Sequence, residues 1–197
     1  ADDRSIEAID HILSDNHSGI EKPAAIIFET IQAEGGINVT SIKWLQELSS
    51  LCKRNDILFI CDDIQVGCYR TGSFFSFERA GIIPDIVLLS KSISGIGLPM
   101  SLLLMKRELD IWRPGEHSGT FRGNQLAFVG AVAALEYADE IDIISKVKER
   151  EVYLKSFLQN QIGSLSDKIQ VRGLGMIWGI DVSSLGNHEL SKKIAMS

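Results

Sequence analysis

The sequence predicts an α/β fold built on a mostly parallel sheet flanked by helices, and three observations carry that expectation. Ile57–Cys61 and Ile86–Leu89 are short, continuous apolar runs rich in Ile, Leu and Val, the pattern of strands buried on both faces. The stretch between them, residues 62–85, is long enough to cross a sheet face, as parallel neighbours require. Each run ends on residues able to do chemistry, Asp62-Asp63 after the first and Ser90-Lys91 after the second. Ligands of open parallel sheets bind beyond the carboxyl ends of the strands, so an acid and a lysine are expected to face one crevice.

Taken in order, Ile6, Ile9 and Leu13 recur at helical spacing and predict a short amphipathic helix that stops near the turn residues 14–19. Ala24–Phe28 is an apolar run closed by Glu29 and reads as a buried strand. Its exit, IQAEGGIN, carries Gln32, Glu34 and Gly35-Gly36, which permit a tight turn with exposed backbone. Thr40 or Ser41 can cap a helix whose apolar face is Trp44, Leu45, Leu48, Leu51 and Cys52, with Asn55-Asp56 ending it. A β-α-β unit with a right-handed crossover results.

Beyond Asp63, IQVGCYRTG has two glycines and suits an ordered loop beside a ligand. Ser101–Met105 is a further strand candidate behind the Gly- and Ser-rich SISGIGLP. Residues 112–124 form a long polar loop without periodicity, a length usually associated with function or disorder. Asn124 can cap a helix with Phe128, Ala131, Val132 and Leu135 on its apolar face. A second helix, about 141–162, carries Val147, Leu154, Phe157 and Leu158 on one side. Ile169–Arg172 and Met176–Val182 read as two short strands around Gly173 and Gly175, the beginning of a smaller α/β layer. The expected division is therefore residues 1–143, part of a large domain, and 144–197, an incomplete C-terminal small domain. The chain begins without Met, in what looks like a helix-bearing segment, and is expected to be a piece of a longer protein.

Composition narrows the classes of function. A net charge of −6 gives no basic footprint, so nucleic acid and anionic membrane are poor partners. No apolar run approaches the roughly 18 residues of a bilayer span. Cys52, Cys61 and Cys68 show no CxxC spacing, which fits reduced thiols in a cytoplasmic protein. His11, His17, His117 and His188 are scattered, none at metal-ligand spacing, and no metal site is expected.

Two reaction classes compete for an acid and a lysine at neighbouring strand ends. The acidic strand end of a P-loop NTPase would need a GxxxxGK[ST] loop, which the sequence lacks, and would leave Lys91 without a role. Alternatively Lys91 forms a Schiff base with pyridoxal phosphate while an aspartate pairs with the pyridinium nitrogen. A carboxylate beside that nitrogen favours its protonated form, and the lysine, once displaced by substrate amine, can carry the proton between carbons.

CDDIQVGCYRTG, PDIVLLSKSISGIGLP and HSGTFRGN together resemble the cofactor-site signature of class III, ornithine-type, PLP-dependent aminotransferases, over about Ala24 to Val182. The resemblance implies the type I fold of PLP-dependent transferases, pyridoxal 5'-phosphate as cofactor, amino acid and oxo acid substrates, and a homodimer or higher homo-oligomer. It implies Asp62 as the pyridinium partner, Lys91 as the Schiff-base lysine and Gln65 at the ring's phenolic oxygen. Thr120 would reach the cofactor phosphate of a neighbouring subunit. Glu34 matches a glutamate that gates the substrate-carboxylate arginine, and Glu29 an acid behind the ring. Asp62-Asp63, where the usual pattern is Asp-Glu, together with EGGIN, GCYRTGSFFSFE and GEHSGTFRGN, is most similar to the diaminobutyrate-2-oxoglutarate branch, whose members move an amino group from glutamate to aspartate 4-semialdehyde. Another ω-amino acid transaminase, using 4-aminobutyrate or ornithine, is the second reading, and an inactive fragment or scaffold the third. The family's phosphate loop and ring-stacking aromatic do not appear before Ala24, and its carboxylate-binding arginine is expected beyond Ser197.

Several residues also have plainer readings. Asp63 suits hydrogen-bonding support, Arg70 and Arg122 suit loop-ordering pairs as well as substrate binding, and His117 suits a loop hydrogen bond. Trp112, Trp178, Cys61 and Cys68 suit packing, and Gly173 and Gly175 suit turns.

Overall fold

The structure is a computed structural model that describes residues 3–120, 122–186, 192–194 and 196. Phe121 and His188 lie outside the described residues.

Helix α1 (Asp3–Ser14) precedes strand β1 (Ala25–Phe28). The expected turn after β1 contains two minimal strands, β2 (Ile31–Gln32) and β3 (Asn38–Val39), paired antiparallel. Ser41, one of the two expected caps, opens helix α2 (Ile42–Arg54) by accepting a hydrogen bond from the Trp44 amide, and Asn55 closes it. Strands β4 (Leu58–Asp62) and β5 (Ile86–Leu89) follow, both where the apolar runs placed them. Strand β6 is Leu102–Met105. Sheet order is β1-β4-β5-β6. The first three strands are parallel and β6 runs antiparallel to β5, giving the mostly parallel α/β sheet that the sequence predicted.

The sheet's two faces differ in cover. Phe28, Phe59, Cys61, Val87 and Leu89 are buried in one cluster with Leu45, Leu48, Leu51 and Cys52 of α2 and Ile6 of α1, and the Phe28 and Phe59 rings stack at 4.4 Å. Burying side chains of this size is worth roughly 1.5–3 kcal/mol each. Register pairs Ile27 with Ile60 and Asp62 with Leu88 on the opposite face, where Ile27 and Leu103 are exposed. Asp62 therefore leaves the sheet on the side that α2 does not cover.

Helix α3 (Gln125–Glu140) is capped by Asn124, whose side chain accepts from the Leu126 and Ala127 amides. Its buried stripe shares only Ala131 with the expected one. Ala127, Gly130, Ala131 and Ala138 face inward, while Phe128, Val132 and Leu135 are exposed. Close approach explains the difference: a Cβ on Gly130 would stand 2.8 Å from the Ser94 carbonyl oxygen, and one on Gly95 would stand 2.3 Å from the Ala134 Cβ. Only small residues let α3 press onto the turn at 91–95.

Helix α4 (Ile143–Phe157) starts at Asp142 and runs on through a π-turn at 158–162, filling the span expected of the second helix. Val147 is buried, but Phe157 is exposed. Strands β7 (Gln170–Leu174) and β8 (Ile177–Asp181) form an antiparallel hairpin. It packs on β2–β3 through Ile31, Ala33, Val66 and Ile177, and Arg172 donates to the Gly36 carbonyl at 2.7 Å. The hairpin's turn requires Gly175, at φ +60°, because a Cβ there would lie 2.4 Å from the Arg70 carbonyl oxygen and 2.7 Å from the Thr71 Cα. Gly175→Ala combines a left-handed backbone with a clash against main chain and is expected to cost about 3 kcal/mol. Urea unfolding checks this; a midpoint within error of the parent would contradict it.

Candidate active site at the strand ends

Parallel pairing brings the carboxyl ends of β4 and β5 side by side, with Asp62 in register with Leu88 and the Asp63 amide donating to the Leu88 carbonyl at 3.0 Å. Asp62 is half-buried and its Oδ1 accepts from the Ile64 amide at 3.1 Å. Among the described residues its Oδ2 has no hydrogen bond and no cation pairs with it, so its charge is available. It lines a cavity with Phe28, Glu29, Gln32, Thr40 and Trp44.

Lys91 begins the turn after β5 with φ +51°. Strict alternation would send position 91 to the side of Leu89, which is buried. The left-handed residue breaks the alternation, and the side chain emerges exposed. Its Nζ donates to Gln65 Oε1, and Gln65 Nε2 donates to Glu34 Oε1 at 3.0 Å. An ammonium only donates and a carboxylate only accepts, so the amide between them has one possible orientation. Three of the six residues given site roles by the resemblance thus form one hydrogen-bonded chain. Lys91 and Gln65 share a cavity with Arg70, Ser92 and Trp178, distinct from the one that Asp62 lines. Thr120 stands apart from both, exposed on the loop before α3. Glu29, the expected acid behind the ring, borders the Asp62 cavity and accepts from the Ala33 amide at 3.3 Å.

The floor of the site is polar, and sequence reasoning found only part of it. Asp63 is fully buried. Its Oδ2 accepts from the Ser76 amide at 3.1 Å and its Oδ1 from the Ser76 hydroxyl, which in turn meets the Thr30 hydroxyl. Thr30 and Ser76 were missed, although a serine inside FFSFE is itself a signal, since a polar residue within an apolar run needs a partner. Gly67 closes over Asp63: a Cβ there would lie 2.7 Å from its carbonyl and carboxylate oxygens.

Desolvation pushes the Asp63 carboxyl above the usual range, against the lowering effect of the Ser76 hydrogen bonds. The folded state therefore holds this proton more tightly than the unfolded chain does. The stability Asp63 contributes is full below the ordinary carboxylate range and is lost as pH rises through the raised value. Ser76→Ala removes a donor that favours the ionised form. It is expected to cost about 2 kcal/mol at neutral pH and less in acid, as urea unfolding at two pH values would show; an equal loss at both would contradict the role of ionisation. Burial also pushes the Cys68 thiol up to about 11 and the Cys61 thiol higher, which fits packing residues and not nucleophiles.

A carboxylate and an amine thus end neighbouring strands of a mostly parallel sheet, and the class of protein follows from the whole chain: it belongs to the class-III aminotransferases, whose family profile, "Aminotransferase class-III", matches residues 1–196. More particularly, it is 54% identical over 193 residues to a diaminobutyrate--2-oxoglutarate transaminase of Bordetella parapertussis, covering 97% of this chain and 44% of that protein. It is 55% identical over 178 residues to the enzyme of the same name from Streptomyces avermitilis, covering 87% and 41%. The chain thus spans less than half the length of the curated relatives it matches. Among solved structures it resembles the ornithine aminotransferase of Toxoplasma gondii with a TM-score of 0.83, at 31% identity over 93% of this chain and 42% of that one; PLP partly occupies the active site of that protein. No helix among the described residues is long and apolar enough to cross a membrane.

Proposed function

We propose that the whole protein is a PLP-dependent aminotransferase that moves an amino group from glutamate to aspartate 4-semialdehyde, giving 2,4-diaminobutyrate and 2-oxoglutarate. The observation that carries this reading is the Glu34–Gln65–Lys91 hydrogen-bonded chain, with the uncompensated Asp62 carboxylate at the end of the neighbouring strand β4. That donor set fits pyridoxal phosphate: an amine for the aldehyde, an acid for the ring nitrogen and an amide for the phenolic oxygen. When bound, the cofactor supplies an electron sink for a substrate carbanion.

With the cofactor bound, Asp62 would keep the ring nitrogen protonated, because an adjacent carboxylate favours the charged ring. Gln65 orients the ring through its amide. Lys91 would hold the cofactor through its Nζ amine and, once displaced by substrate amine, would move the substrate proton. Glu34, on the exposed turn between β2 and β3, would gate an arginine that binds the substrate carboxylate. Thr120 serves the cofactor phosphate of the adjoining subunit in a homodimer, which accounts for its standing apart here. Residues 1–143 belong to the cofactor-binding domain and 144–197 to a smaller domain, in a cytoplasmic enzyme.

Treating the whole protein with PLP and borohydride is expected to label the peptide containing Lys91; label elsewhere, or none, counts against the reading. For the acceptor, aspartate 4-semialdehyde should outcompete succinate semialdehyde, and the reverse preference would move the enzyme to the 4-aminobutyrate group. Transfer from ornithine is the second reading, favoured by the ornithine aminotransferase structures at 31% identity against 54% for the diaminobutyrate enzymes.

A further inference from the structure

Lys91 is a long, unbranched L-residue in left-handed backbone, a conformation that persists only where the surroundings over-determine it. The turn it opens is fixed on two sides. Behind it, Ile93 and Ser94 are buried and Gly95 presses on Ala134 of α3. Before it, the Ser90 hydroxyl donates to the Met100 carbonyl at 2.7 Å. On the third side, where Gln65 accepts from Lys91 Nζ, Arg70 Nη2 donates to Ser92 Oγ at 2.7 Å. A guanidinium donor makes that bond stronger than a neutral one.

Arg70 is itself anchored from behind. Its amide donates to the Gly67 carbonyl at 3.4 Å and its carbonyl accepts from the Met176 amide at 2.8 Å. The Gly175 turn sits against that same carbonyl, while the Gly175 amide donates to Glu151 Oε1 at 2.9 Å. A continuous set of contacts therefore runs from α4 through the β7–β8 turn to Arg70, Ser92 and Lys91.

We propose that Arg70 is a positioning residue that acts through Ser92 to hold the Lys91 turn in its left-handed form, and so aims the amine at Gln65 in the cavity that they share. This rests on the assignment of Lys91 as the cofactor-binding lysine. Arg70 does no chemistry itself; it couples the β7–β8 hairpin to the reactive amine. Ser92→Ala is the informative substitution, because it cuts the tie while leaving the guanidinium charge in the cavity.

In the whole protein, the rate at which added pyridoxal phosphate is captured, followed by its visible absorbance, is expected to fall about tenfold in both Ser92→Ala and Arg70→Ala. The value of kcat should fall in parallel, with KM for glutamate within about twofold. The double variant should be no slower than Arg70→Ala alone, and Arg70→Lys should recover most of the capture rate. A silent Ser92→Ala with a tenfold rise in KM in Arg70→Ala would overturn the proposal and make Arg70 a ligand for the substrate carboxylate. Multiplicative losses in the double variant would overturn it as well. Borohydride label at Lys91 in the unsubstituted protein separates these outcomes from failure of the underlying assignment: without that label, the assignment falls and the proposal with it.

Discussion

Replacing Lys91 with alanine in the whole protein is expected to lower kcat/KM for transamination from glutamate by at least about a thousandfold, the scale of a lost covalent and acid–base group. No described lysine other than Lys91 lines its cavity, so no neighbouring amine can substitute. Stability should change little, since the Lys91 side chain is exposed and its one hydrogen bond goes to a side-chain amide. The measurement is 2-oxoglutarate release together with borohydride labelling. A variant that keeps a tenth of the parent rate, or still takes label at the same peptide, would refute the assignment.

Asp62→Asn should be nearly as damaging, by about two to three orders of magnitude in kcat, comparable to removing a preorganised electrostatic group. The substitution keeps shape and keeps the Oδ1 acceptor for the Ile64 amide, but the amide cannot favour a charged ring nitrogen. Asp62 has no cation partner among the described residues and lies at the uncovered face of β4, so the loss should appear in chemistry and not in folding. Thermal unfolding within a few degrees of the parent, with the rate lost, is the expected pair of results. A variant that unfolds much earlier, or that turns over normally, would show that Asp62 serves the sheet and not the cofactor.

The strands that matter most for the site were legible because they are apolar throughout: β1, β4 and β5 sit inside the runs that ended on Glu29, Asp62 and Ser90. The caps Ser41 and Asn124 were legible for a local reason, a side-chain oxygen placed before a helical pattern. Tertiary packing hid the rest. Two-residue strands such as β2 and β3 are too short to show any period. The apolar face of α3 was misjudged because hydrophobicity favours Phe128, Val132 and Leu135, whereas the space beside the 91–95 turn admits only Gly130 and alanines. Within the site, the types and order of Glu34, Gln65 and Lys91 were legible from sequence, but the amide bridge joining them depends on the β2–β3 hairpin, and the Thr30–Ser76–Asp63 network on contacts distant in sequence.

The positive φ at Lys91 has an implication for engineering. A left-handed L-residue carries a penalty of about 1–2 kcal/mol that glycine escapes. A library randomised at this position and selected on heat resistance alone would drift toward glycine, discarding the amine in exchange for a calmer main chain. Thermostabilisation of this scaffold should therefore hold codon 91 fixed and look for gains in residues that brace the turn.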